Sequence, residues 1–249
     1  MKYTSNSALN LDKIELNEKF LQSLSVINGT GKSVFITGKA GTGKSTFIEY
    51  FRHTTEKNIV VLAPTGVAAL NVSGETIHSF FGFKPDITVR KIKKIRTKKA
   101  DILQNLDAIV IDEISMVRAD LLDCVDRSLR LNGKKRNVPF GGIQMVFIGD
   151  LYQLPPVVTE KEKEAFSIKY EDAYFFSSDV FRNFPVEFIE LEKVYRQKDE
   201  AFINLLNSIR NNSIEDEGLA LLNKRVGAVF GAERKEVKWT SSSTEDLSL

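Results

Sequence analysis

Short runs that are apolar at nearly every position alternate along this chain with stretches in which apolar residues recur every three or four positions. Val34 to Thr37, Ile59 to Ala63, Ala108 to Ile111 and Gln144 to Ile148 are the runs. Their Val, Ile and Phe content, with no polar alternation, predicts strands buried on both faces, which is what a parallel sheet covered by helices requires. The helical period appears between them, from Leu16 to Ile27 with Gly29 as the stop, from Ser45 to Arg52 and from Ile114 to Leu131. Further on, Glu187 to Leu191 predicts another strand, and Ala201 to Arg210 and Glu217 to Asn223 predict helices. The alternation predicts an α/β fold with a parallel sheet flanked by helices. No internal repeat interrupts it. The residues from Trp239 onward are mostly polar and read as a solvated tail, in which Trp239 itself is the odd member.

The turn between the first predicted strand and its helix reads Gly38-Lys-Ala-Gly-Thr-Gly-Lys-Ser-Thr46. This is a P-loop pattern in its required strand-loop-helix context. Gly38, Gly41 and Gly43 allow the backbone to turn tightly, so that its N–H groups and those of Ala40, Thr42 and Thr46 can converge on phosphates at a helix N-terminus. Lys44 adds a point charge for the β- and γ-phosphates, and the Ser45 hydroxyl is a ligand for Mg²⁺. Nucleotide binding is the expectation.

Two other strands end in chemistry. Ala108 to Ile111 runs into Asp112-Glu113, about 65 residues beyond the P-loop. An acid there can hold Mg²⁺ through water, as expected of Asp112, and the next can activate the attacking water, as expected of Glu113. Gln144 to Ile148 runs into Gly149-Asp-Leu-Tyr-Gln153-Leu-Pro-Pro156. The Gln153 amide cannot act as a base, but it can bond the γ-phosphate or the attacking water.

Composition narrows the picture modestly. With 249 residues and 42% hydrophobic content, the chain can bury one large α/β core. No apolar run approaches the roughly 18 residues that span a bilayer, and no apolar segment follows Met1-Lys-Tyr-Thr-Ser5, so a cytoplasmic protein is expected. The single cysteine, Cys124, sits in an apolar helical pattern and reads as a core residue. The net charge is +2, and removing the seven basic residues between Arg90 and Lys99 leaves −5 for everything else. Val89, Ile92 and Ile95 give that basic run one apolar edge on a helix after Asp86, which suits either a solvated helix face or a phosphate-contacting surface.

GKAGTGKST (38–46), APTGVAAL (63–70), GETIHSFF (74–81), IDEISMV (111–117), PFGGIQ (139–144), GDLYQLPPV (149–157) and LEKVYRQ (191–197) stand in this order along the chain. The set resembles the motifs of the PIF-type and RecD-like DNA helicases of superfamily one, over about residues 16 to 225. The resemblance implies a RecA-like P-loop domain over residues 1–225, with a small basic accessory insertion at 82–105 and a tail, or the start of a second domain, at 226–249. It implies ATP with Mg²⁺ as cofactors, and single-stranded or forked DNA as partner of a monomer that translocates 5′ to 3′.

It also implies residue roles. Lys44, Ser45, Asp112 and Glu113 keep those given above, and Gln153 and Arg196 address the γ-phosphate. Pro64, Thr65, Gly66 and His78 would contact DNA, together with Lys93, Lys94, Lys98 and Lys99 of the insertion. The family's adenine-reading glutamine falls near Leu16-Asn-Glu-Lys-Phe20, where Gln22 is the nearby substitute. The chain is expected to be the first of the family's two RecA-like domains. A non-catalytic, ATP-dependent DNA-binding module is the alternative.

Overall fold

The computed structural model describes residues 14, 16–95, 98–193, 195 and 200–224. The chain divides into two compact units, one up to Glu200 and one from Ala201. In the first unit, six strands form a single sheet, β1 (Ser33–Gly38), β2 (Ile59–Ala63), β3 (Glu75–Thr76), β4 (Ala108–Ile111), β5 (Gln144–Ile148) and β6 (Val186–Leu191). Their order is β3-β2-β4-β5-β1-β6, and every neighbouring pair is parallel.

The period-two geometry of a strand explains why these segments are apolar throughout. Val34, Ile36, Val61, Val110, Val146 and Ile148 project to one face, where they pack with Phe20 of α1 (Glu18–Ser25) and Phe47, Ile48 and Phe51 of α2 (Lys44–Thr54). Phe35, Leu62, Ile109, Ile111, Met145 and Phe147 project to the other. Before that face lie Phe80 and Phe81 of α4 (Ile77–Phe81), Leu103 of α5 (Lys98–Asn105) and Leu122, Val125 and Leu129 of α6 (Ala119–Asn132). Cys124, also on α6, is buried, and burial pushes its thiol pKa up to about 12, so it is a packed core residue. Between β2 and β3 lies the short α3 (Gly66–Asn71), and α7 (Glu160–Ser167) follows β5. In the second unit, α8 (Glu200–Arg210) and α9 (Asp216–Asn223) meet closely at Gly218, where a Cβ would stand 3.1 Å from Leu205.

The expected strands all form, and tertiary contacts reshape some of the helices. The expected helix from Ile114 is only a 3₁₀ turn, Ile114–Met116, before α6 begins at Ala119. The break falls at Arg118, whose extended backbone bridges to Tyr174, while the Ala119 N–H donates to the Ala173 carbonyl. The expected helix after Asp86 shrinks to the 3₁₀ turn Val89–Lys91. Arg90, Lys91, Lys93 and Lys94 would repel one another at helical spacing, and Ile95 instead packs on the main core with its N–H bonded to Asn132. The first helix starts at Glu18 and widens into a π turn, Val26–Thr30, which ends at left-handed Gly31. The expected tail, 226–249, lies outside the described residues.

One close approach sets the spacing of the sheet's carboxyl edge. At Gly149, just past β5, a Cβ would stand 3.0 Å from Ile114 Cγ2, 3.1 Å from the Ile114 nitrogen and 3.2 Å from the Ser115 nitrogen. Only a glycine lets the end of β5 lie this tightly against the turn that follows β4. Gly149→Val is therefore expected to destabilise the chain by about 1–3 kcal/mol, measured by urea denaturation, because backbone rather than a flexible side chain must yield.

Candidate nucleotide and nucleic-acid site

A parallel sheet puts the carboxyl ends of all its strands on one edge, and here that edge collects the polar motifs. The P-loop leaves β1, Asp112-Glu113 leaves β4, and the Gln153 turn leaves β5, which lies between them. On the far side of β4, Pro64-Thr-Gly66 follows β2, and His78 sits in α4 immediately after β3. The structure thus brings most of the expected residues to one edge.

Packing fixes the base of the P-loop. Gly38 pairs with Leu191 of β6, and a Cβ on it would come within 2.6 Å of the Leu191 carbonyl and 2.5 Å of Thr42 Oγ1. The buried Thr42 hydroxyl braces the turn by donating to the Lys39 carbonyl at 2.8 Å. Gly41 and Gly43 are left-handed, with φ of 81° and 91°, and no side chain caps α2. Its first N–H groups, next to exposed Ser45 and Thr46, keep the partial positive charge that suits a phosphate. The Lys44 ammonium curls over the loop and donates to the carbonyls of Gly38 at 2.6 Å and Lys39 at 3.2 Å.

Asp112 is only 6% exposed. Burial, reinforced by the neighbouring Glu113 charge, raises its carboxyl pKa to about 6, and Lys44 acts in the opposite direction. Glu113 itself sits in a left-handed conformation, φ 49° and ψ 42°, at the head of the 3₁₀ turn. The carboxylates of Asp112 and Glu113 and the exposed hydroxyl of Ser45 are hard oxygen donors of the kind Mg²⁺ takes, and they fit such an ion. Asp150, almost fully buried, organises the next turn: its carboxylate accepts from the Tyr152 N–H at 3.1 Å and from Gln153 Nε2 at 3.1 Å. Gln153 therefore carries an oriented amide into the edge.

Around the P-loop the structure adds two residues whose roles the sequence reading missed. The Tyr195 N–H donates to the Gly41 carbonyl at 2.9 Å, and the tyrosine ring lies close enough to Gly43 that a Cβ there would be 3.7 Å from it. Asn17 caps α1 through the Phe20 N–H and donates its amide to the Tyr195 hydroxyl at 2.8 Å. Phe20, at the position of the family's glutamine, is buried against Phe47 and Tyr50. Gln22 lies two residues on, on the exposed face of α1, with its side chain bonded to Lys19, so it is not turned the same way as Phe20. The motif LEKVYRQ was the signal for Tyr195. Arg196, in the same motif, lies outside the described residues.

The expected DNA-contacting residues form a second group. The hydroxyls of Thr65 and Thr76 each cap a helix, accepting from the N–H of Ala68 at 3.2 Å and of Ser79 at 3.1 Å, and each still has its own O–H to donate. His78 is half-buried, edge-on to Phe83. Burial lowers its pKa, with Asp120 opposing, so at neutral pH it is an uncharged hydrogen-bonding group and not a phosphate-neutralising cation. In the basic insertion, Lys93 and Lys94 are exposed, while Lys91 pairs with Asp86. The side chains of Lys98 and Lys99 lie outside the described set. No described helix is long and apolar enough to cross a membrane.

Comparison with known proteins agrees with this arrangement. The family model for PIF1-like helicases matches residues 12–219. The ATP-dependent DNA helicase PIF1 of Candida albicans is 40% identical over 200 residues, which is 76% of this chain and 22% of that protein. The human helicase of the same name is 38% identical over 191 residues, covering 75% of this chain and 28% of its own. Among solved structures, Pif1 helicase from Bacteroides in complex with ADP-AlF3 and single-stranded DNA superimposes with a TM-score of 0.82 at 39% identity, over 88% of this chain and 52% of that one. The chain thus spans about a quarter of the length of the curated relatives it matches. The shared parallel sheet with its P-loop is the RecA-like fold of those structures. With the family model covering most of its length, the chain belongs to the PIF1-like helicase family.

Proposed function

We propose that this chain is the ATP-binding motor domain of a 5′-to-3′ DNA helicase, the first of two RecA-like domains, which couples ATP hydrolysis to movement along single-stranded DNA. The observation that carries the reading is the convergence of P-loop, acidic pair and Gln153 turn on one sheet edge, with the Thr65 and Thr76 caps farther along it. A nucleotide on that edge and DNA beside it would share the same strand ends.

In this reading the α2 N-terminus and Lys44 hold the phosphates. Ser45 and Asp112 hold Mg²⁺, which supplies charge neutralisation at the transferring phosphoryl group when bound. Glu113 accepts a proton from the attacking water, Gln153 orients that water or the γ-phosphate, and Arg196 stabilises the developing charge. The relatives' DNA-helicase names, and the single-stranded DNA and ADP-AlF3 in the Bacteroides complex, support ATP and DNA as the ligands. Tyr195, beside Gly41 and Gly43, and Asn17, bonded to its hydroxyl, would flank the nucleotide in the role expected of Gln22. Residues 82–105 serve as the accessory insertion, with Lys93, Lys94, Lys98 and Lys99 contacting phosphates, while Pro64, Thr65, Gly66 and His78 contact DNA without adding charge. A monomer in the cytoplasm, associated with the nucleoid in a bacterium, is the accompanying proposal.

The direct test is ATP turnover with and without oligo-dT. Stimulation by DNA supports the motor reading. Nucleotide-dependent DNA binding with no turnover would favour a non-catalytic module.

Two sets of variants test the assignments. Glu113→Gln is expected to keep nucleotide affinity and lower turnover by about 10²–10⁴, the usual worth of a general base, whereas Asp112→Ala should also weaken the Mg²⁺ dependence of nucleotide binding. Equal loss of binding in both would show that the two acids do not divide the work. Replacing Lys93, Lys94, Lys98 and Lys99 together with Gln should weaken DNA binding regardless of sequence. It should also flatten the slope of log affinity against log salt by about one unit for each phosphate no longer neutralised. Thr65→Ala should weaken binding with little change in slope, because a hydroxyl releases no counterion. An unchanged slope in the four-lysine variant would leave the basic run as a solvated surface.

A further inference from the structure

Arg52 lies in the last turn of α2, the helix that begins with Lys44 and Ser45. Its Nη2 donates to the Val72 carbonyl at 2.5 Å, across an interface of two elements distant in function. Val72 closes α3, whose other end is the Thr65 cap following Pro64. A helix's terminal carbonyls carry partial negative charge, so a guanidinium is well matched there. Burial lowers the pKa of Arg52, with Glu49 the opposing charge, and Glu49 is itself within 3.2 Å of His53.

The far end of α3 is held on its other sides as well. The Val72 side chain is 2% exposed and packs in the same core as Phe47, Ile48 and Phe51 of α2 and Val61 of β2. Immediately after it, the Gly74 N–H donates to the Ala69 carbonyl at 2.8 Å, and a Cβ on Gly74 would be 2.4 Å from the Val61 carbonyl. The end of α3 is thus clamped between β2 and the P-loop helix. Val72 lies seven positions after Thr65, about 10 Å of helix at 1.5 Å per residue. Over so short a rod, the α2 contacts at Val72 lie within two turns of the Thr65 cap, and Arg52 is the polar contact from α2 to the end of α3.

We propose that Arg52 is a positioning residue that couples occupancy of the P-loop to the affinity of the Pro64-Thr65-Gly66 end of α3 for single-stranded DNA. The proposal rests on the DNA-contacting role given to that segment under the proposed function. Arg52 touches neither ligand: it moves one binding element in response to the other.

The test measures binding of a fluorescein-labelled oligo-dT to the full chain by anisotropy, with and without a non-hydrolysable ATP analogue and Mg²⁺. The two DNA affinities of the wild type are expected to differ by about fivefold or more, the usual range of coupling between sites. Arg52→Gln should bring that ratio close to one while nucleotide affinity, measured separately, stays near wild type. Arg52→Lys, which retains the charge and a donor, should restore part of it. A merely structural role would lower thermal stability and leave the ratio intact, and an unchanged ratio in Arg52→Gln overturns the proposal.

Should Arg52→Gln not fold, wild-type amide exchange decides. Nucleotide should change protection at Ala68 and Ala69, whose N–H groups bond to Thr65, and no change overturns the proposal. Wild-type DNA binding that ignores nucleotide also overturns the coupling but leaves the DNA-contact reading standing. Absence of DNA binding removes that reading itself, and the coupling with it.

Discussion

The close approach of β5 to the turn after β4 is the constraint on which the candidate site depends. In a parallel sheet all strand ends face one way, but their spacing across the edge depends on what the strand between them permits. Here β5 separates the P-loop strand from the acidic strand, and Gly149 lets its end sink against Ile114 and Ser115 while its N–H donates to the Ile36 carbonyl of β1 at 3.2 Å. One small residue therefore touches both β1 and the turn after β4. The Asp150 and Gln153 turn consequently lies between the P-loop and the acidic pair, the position that the γ-phosphate role proposed for Gln153 requires.

Electrostatics follow from that crowding. Lys44 rests on backbone carbonyls of its own loop, and burial and the Glu113 charge raise the Asp112 carboxyl pKa to about 6. Both arrangements favour an incoming Mg²⁺-nucleotide. Phosphate oxygens are better partners for the ammonium than carbonyls, and a divalent cation stabilises the carboxylate that burial disfavours. Gly38 and Thr42 are fixed by β6 and by the Lys39 carbonyl, which anchors the base of the loop.

Much of this was legible in the residues, and the parts that were not share a cause. The strands could be read because burial on both faces leaves a continuous apolar run, the P-loop stands out by its local spacing, and Asp112-Glu113 stands out only by following an apolar strand some way beyond that loop. Only two residues make up β3, held by the tight contact of Gly74 with β2, and two residues show no period. The break before α6 depends on Tyr174, far along the chain, and the basic run fails as a helix because its charges repel while Ile95 is drawn to the core. The partnership of Asn17 with Tyr195 joins residues 178 positions apart, which no local pattern records. Gln22 is the nearest glutamine in sequence to the family's position, whereas the helix period turns it to solvent and buries Phe20. Arg52 falls outside the motifs, because its partner is a backbone carbonyl and carries no side-chain signature.

The central claim is that three separate strand ends form one nucleotide site. Backbone amide shifts followed during titration with a non-hydrolysable ATP analogue and Mg²⁺ test it most directly. The account expects residues 38–46, 112–113 and 149–153 to respond together with a single apparent affinity. A response confined to the P-loop, or different affinities for the three segments, would contradict it.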